Sequence, residues 1–106
     1  MGKNMIYLKI TSSEKGYIIA MCDAELIGKK FKDKKRELDL EKYADFYKGE
    51  LISEDEAKNK LNVSFFTANI VGKRSIDIVI NKGLAKESDI VYIEKIPHIQ
   101  LFRIEY

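Results

Sequence analysis

The chain of 106 residues carries one cysteine, one proline, one histidine and no tryptophan. A lone Cys22 excludes an internal disulfide, and with His98 as the sole histidine there is no Cys/His framework for a zinc ribbon or finger. No ligand spacing points to a metal, and no motif points to a cofactor; neither is expected. Apolar runs stay far short of the roughly 20 residues that a membrane span requires. No signal-peptide pattern opens the chain. The expected location is therefore cytoplasmic, with no membrane partner. Low-complexity linkers and internal repeats are also lacking, so residues 1–106 are expected to form a single domain.

What is present suits a folded protein: 45% hydrophobic and 34% charged residues. A domain of this length buries roughly two-thirds of its unfolded surface, enough for a core without staples. The net charge of +2 conceals a local asymmetry. Lys29, Lys30, Lys32, Lys34, Lys35 and Arg36 crowd the stretch Gly28–Glu37 around Phe31, against Asp33 and Glu37. Eight acids then follow between Glu37 and Glu56, with only Lys42 and Lys48 to oppose them. Such a basic loop can attract a polyanion, and Phe31 offers one stacking surface. The plainer explanation is a solvated loop that pairs with its acidic neighbours.

The hydrophobic pattern predicts an α+β fold with an N-terminal β-hairpin, a mostly antiparallel or mixed sheet, and two or three short helices. Met5–Ile10 alternates as a strand, Thr11–Gly16 reads as a turn, and Tyr17–Cys22 is apolar on both faces, as a covered central strand would be. A short helical turn is expected near DAELIG, and RELDL adds a short strand with Leu38 and Leu40 inward. Leu40, Tyr43, Ala44 and Tyr47 fall at helical spacing, with Gly49 as a cap. Ser53 and Glu56 form a capping box for a helix to about Leu61, with Ile52 and Ala57 as its staple. Ser64–Val71 reads as a strand placing Phe66, Ala68 and Ile70 on one face. Gly72 ends it, a helix striped by Ile76, Val79, Ile80 and Leu84 follows, and Gly83 caps it. Ser88–Ile96 and Pro97–Ile104 read as two closing strands.

Several polar residues stand where chemistry could sit. The passage from Val71 through Gly72, Lys73, Arg74 and Ser75 leads from strand to helix, where free amides and the helix dipole favour an anion. It lacks the first glycine and spacer of a Walker loop, and an ordinary turn with Ser75 as N-cap is the plainer explanation. His98 and Gln100 share a strand face with Ile96, Phe102 and Ile104. A polar pair in that apolar row requires partners, a ligand or an open strand end. Cys22 next to Asp23 would act as a nucleophile only if it met His98 in space, and a neighbouring carboxylate does not favour a thiolate. Asn69 lies opposite the Ala68/Ile70 face, and exposure is its ordinary outcome. Tyr47 stands where a cleft wall would form.

The ordered set MIYLKI, CDAELIGKKF, DFYKGEL, TANIVGKRSIDIVINKGL and IPHIQ resembles a small archaeal family, domain of unknown function 424. The resemblance runs from Met5 to Phe102. It draws attention to Cys22, Asp23, Glu25, Gly28, Phe46, Tyr47, Gly49, Glu50, Asn69, Gly72, Ser75, His98 and Gln100. The chain departs from the family pattern where Lys95 and Ile96 stand in place of a glycine and a valine before Pro97, and where Ile99 replaces a small residue. The family implies an archaeal cytosolic protein and supplies no activity.

Three functions follow as expectations. The first is a non-catalytic binding module for RNA or a ribonucleoprotein, resting on Lys29, Lys30, Lys34, Lys35 and Arg36 with Lys73 and Arg74. The second is a small enzyme whose cleft gathers Cys22, Asp23, Asn69, Ser75, His98 and Gln100. The third is an interaction adaptor using a sheet edge or an aromatic patch at Phe65 or Phe66.

Overall fold

The computed structural model describes residues 5–62 and 64–102, and for Phe66 the backbone alone. Among these residues are eight strands and three α-helices: β1 (Ile6–Ser13), β2 (Gly16–Asp23), β3 (Lys30–Lys32), β4 (Glu37–Asp39), α1 (Ala44–Tyr47), β5 (Glu50–Ile52), α2 (Glu54–Lys60), β6 (Phe65–Val71), α3 (Lys73–Asn81), β7 (Val91–Ile93) and β8 (Ile96–Phe102). Six strands form one sheet in the order β5-β1-β2-β6-β8-β7, and β3 pairs with β4 apart from it. Every pairing in the large sheet is antiparallel except β2 with β6. The fold is thus α+β with a mixed sheet.

One face of the sheet is covered by α2 and α3. Ile6, Leu8, Ile19, Met21, Ala68, Ile70 and Ile99 point there and pack against Ala57, Ile76, Ile78 and Val79. The Ser53/Glu56 capping box is made in full, and the staple residues Ile52 and Ala57 are both buried in this core. At the far end of α3, Gly83 has φ +74°, its amide donates to the Ile80 carbonyl, and the Leu84 amide donates to Val79. That pair of bonds is a Schellman stop, which needs a residue free of the left-handed penalty. Among the described residues the opposite face is covered at one end, where Leu38, Leu40 and Tyr47 close over Ala20, Cys22 and Val71.

Several local expectations are corrected. The strand β1 runs through Ser13, and only Glu14 and Lys15 turn the chain, because Ser13 already pairs with Gly16. The Leu40–Tyr47 stripe does not become one helix. Asp39 Oδ1 accepts from the amides of Glu41 and Lys42 and closes a separate turn, leaving four helical residues and Tyr43 53% exposed. Gly49 is required by close packing rather than by a helix stop: a Cβ there would lie 2.3 Å from the Leu8 carbonyl oxygen. In β6 an irregularity of register between Tyr17 and Ile18 shifts the phase, so Phe65 takes the buried position; the side chain of Phe66 lies outside the described residues. The strand expected from Ser88 is a 3-10 turn at Glu87–Asp89 followed by a strand of three residues. Ile104 lies outside the described residues.

Candidate functional site

The uncovered part of the sheet presents its side chains in rows, since directly paired residues share a face. One row runs Tyr7, Cys22, Val71, His98 and Val91. The next holds Lys9, Ala20, Asn69 and Gln100, and the third Thr11, Ile18, Thr67 and Phe102. The cover formed by β4 and α1 stops across these rows. Where it stops, a cleft of about 490 Å³ opens, with Asn69, His98 and Gln100 as floor and Glu37, Asp39, Tyr43 and Phe46 among its walls. An adjoining cavity of about 610 Å³ shares His98 and Gln100 and reaches Arg36 and Phe102.

The floor is polar and internally tied. Gln100 Nε2 donates to Asn69 Oδ1 at 3.1 Å. His98 is half-buried, its Nε2 has no hydrogen-bond partner among the described residues, and burial holds its pKa below the ordinary value. Asn69, expected to be exposed, is half-buried, because the cover reaches its edge. Tyr47, on the inner side of the cover, is buried, and its phenol is pushed upward by burial and then by Cys22. Phe46 meets the Tyr47 ring edge-on, 5.0 Å between centroids.

The strand-to-helix junction is not an open anion site. Asp23 Oδ1 accepts from the Ser75 amide at 2.9 Å and from the Ser75 hydroxyl at 2.8 Å, while Oδ2 accepts from the Arg74 amide at 3.1 Å. A carboxylate from β2 therefore already occupies the place a phosphate would take at the start of α3. This corrects the expectation of Ser75 as N-cap: Gly72 holds that position, and Ser75 gives both its amide and its hydroxyl to Asp23. Arg74 is engaged by a hydrogen-bonded ion pair with Glu25. For Glu25, partial burial is outweighed by that bond, which holds its carboxyl below the usual range. Lys73 remains exposed at the other side of the helix start.

The matched family model spans residues 10–104 and is described as "Protein of unknown function (DUF424)". The chain belongs to the DUF424 family. A solved structure resembles it closely: the crystal structure of an uncharacterized conserved protein from Methanopyrus kandleri, 26% identical, with 96% of each chain covered and a TM-score of 0.78. Among curated proteins, none matches. The family's description and this neighbour's name state no activity.

The structure separates the residues that an enzyme cleft would have to bring together. Asp23 and Ser75 sit at the start of α3, on the helix-covered face, away from the cleft. Cys22 shares the face of His98 but is two strands from it, about 10 Å at sheet spacing. The thiol is fully buried and donates to the Asp23 carbonyl at 3.3 Å. Burial first, then Asp23 and Glu25, push its pKa to about 12. Cys22 and His98 form no nucleophile pair.

The basic loop of this DUF424 chain is the β3–β4 hairpin. At its tip Asp33 Oδ1 accepts from the amides of Lys35 and Arg36, which shapes the turn and holds the Asp33 carboxyl low. Lys30 pairs with Glu41 at 3.3 Å. Among the described residues, Lys29, Lys34, Lys35 and Arg36 are exposed and form no ion pair. The Lys32 amide donates to Glu94 Oε2 at 2.6 Å, tying the hairpin to the β7–β8 turn. Glu37, Asp39, Tyr43 and Phe46 are cleft residues that the sequence reading did not single out as such. The alternation in RELDL marks the strand of Glu37 and Asp39 and the helical spacing marks Tyr43, but nothing marks the distant strand they face. No helix of the described residues is long and apolar enough to cross a membrane, and no group of three His, Cys, Asp or Glu among them is placed to hold a metal ion.

Proposed function

We propose that this protein is a non-catalytic binding module for single-stranded RNA, free or within a ribonucleoprotein. One observation carries the reading: the polar, ring-walled cleft and the basic hairpin adjoin, because the cavity that shares His98 and Gln100 with the cleft is bounded by Arg36. Bases can stack on Tyr43, Phe46 and Phe102, the last 68% exposed, at about 1–3 kcal/mol per stacked base. Lys34, Lys35 and Arg36 can follow the phosphates.

The test is retention of total cellular RNA by purified, nuclease-treated protein at low and moderate salt. Binding is expected to weaken steeply with salt. Reversing Lys34, Lys35 and Arg36 to glutamate is expected to weaken it for all sequences alike. The salt slope should shrink by about 2, roughly 0.7 for each lost single-strand phosphate contact. Absence of binding at low salt, or binding indifferent to both salt and charge reversal, overturns the proposal.

A further inference from the structure

We infer that the cleft at Asn69 and Gln100 takes one unstacked nucleobase bearing an exocyclic amine, in preference to uracil, and keeps the phosphates outside; this deepens the RNA-binding reading and rests on it. Among the described residues the lining includes two acids, Glu37 and Asp39, and neither lysine nor arginine; Asp39 Oδ1 accepts from the Glu41 and Lys42 amides, which leaves Oδ2. A phosphate entering it would meet these two like charges, while Lys30, the cation they attract, is already ion-paired with Glu41 at 3.3 Å. An amine on adenine, cytosine or guanine instead supplies the donor that a carboxylate accepts, whereas uracil turns carbonyl oxygens toward those acids.

The floor fits the edge of a base. The Asn69–Gln100 couple uses one carbonyl and one amide hydrogen internally. Whichever way the two amides are turned, it retains one carbonyl and amide hydrogens to offer side by side. A base edge carries the complementary donor and acceptor, the pairing that asparagine and glutamine make with adenine. Leu38, Tyr43 and Phe46 supply apolar walls for a flat ring, and the volume of about 490 Å³ lies within the range of small-molecule sites. The burial of His98 disfavours a cation there, so the floor adds no attraction for phosphate.

The experiment uses nucleosides without phosphate. The side-chain amide signals of Asn69 and Gln100 in the full chain are followed by NMR during titration with adenosine, cytidine or uridine. Adenosine and cytidine are expected to move both signals and to bind about tenfold more tightly than uridine, the scale of one well-made pair of hydrogen bonds to a base edge. Glu37→Gln, a change at an exposed position, should erase most of that preference, and Asn69→Ala should weaken all three. Equal affinities, shifts confined to other residues, or a preference untouched by Glu37→Gln overturn the inference. RNA retention with undiscriminated nucleosides leaves the RNA reading standing without this pocket. Discrimination without RNA retention removes the RNA reading and leaves a nucleoside site.

Discussion

The Asp23 carboxylate lies 2.9 Å from the Ser75 amide and 2.8 Å from the Ser75 hydroxyl, so a residue of the second strand closes the start of a helix some fifty positions later. Gly72 makes room for it. The glycine has φ +102°, and a Cβ there would fall 2.3 Å from Asp23 Cγ. Asp23→Ala is expected to cost about 2–4 kcal/mol, from a lost cap and buried donors left unpaired. Gly72→Ala should cost at least about 2 kcal/mol through its backbone alone. Because the clash disappears with the carboxylate, the double variant should be less damaged than the sum of the two, by about 1 kcal/mol or more. Urea unfolding of all four proteins measures this, and strict additivity would count against the coupling.

The β7–β8 turn is made by Glu94 and Lys95, both with positive φ, 49° and 70°. Left-handed backbone costs an L-residue about 1–2 kcal/mol, and glycine recovers it less about 0.5–1 kcal/mol of chain entropy. Lys95→Gly is therefore expected to stabilise the fold by up to about 1 kcal/mol, read as a raised thermal midpoint. Glu94→Gly should gain less, since it also removes the acceptor of the Lys32 amide. Equal gains at the two positions would contradict this role for Glu94.

Burial holds the His98 imidazole below its ordinary value of 6.5. The unfolded chain then takes up a proton before the folded one does, and stability rises with pH through that interval. The contribution is complete above the unfolded value and is lost as pH falls through the lowered folded value. Unfolding midpoints of the wild type should thus drop between about pH 7.5 and 5.5, the range in which a histidine titrates. In His98→Gln the same interval should be flatter. Matching profiles for the two proteins would show that another group governs it.

With its thiol raised to about 12 and out of contact with solvent, Cys22 should be inert in the native protein. An aromatic disulfide reagent is expected to react at least about 100-fold more slowly than with the unfolded chain. Cys22→Ala should cost about 1–2 kcal/mol of packing and leave RNA retention unchanged. Rapid native labelling would place the thiol nearer the surface than it is here.

Local chemistry made much of the fold readable. Ser53 and Glu56 announce a helix start through their own hydrogen bonds, and Gly83 announces a stop through its backbone. Asp23 could not be read in the same way. Its partners depend on β2 and β6 lying parallel, a pairing with no local trace in either segment. The cleft was legible in part for the same reason: alternation placed His98 and Gln100 on one face, but only strand order brings Asn69 beside Gln100 and carries Glu37 over them. The four-residue α1 shows the reverse case, a helical stripe overridden when the Asp39 side chain turned the chain first.

The parallel seam between β2 and β6 divides the sheet into two runs of contiguous sequence. The strands β5, β1 and β2 come from residues 6–52, and β6, β8 and β7 from residues 65–102. Each run is sewn together by antiparallel neighbours before any contact with the other is needed. The cleft takes Glu37, Asp39, Tyr43 and Phe46 from the first run, and Asn69, His98 and Gln100 from the second. It exists only after the two halves have met. During folding, and during synthesis of the chain, competence to bind should therefore be the last property acquired, later than most of the secondary structure.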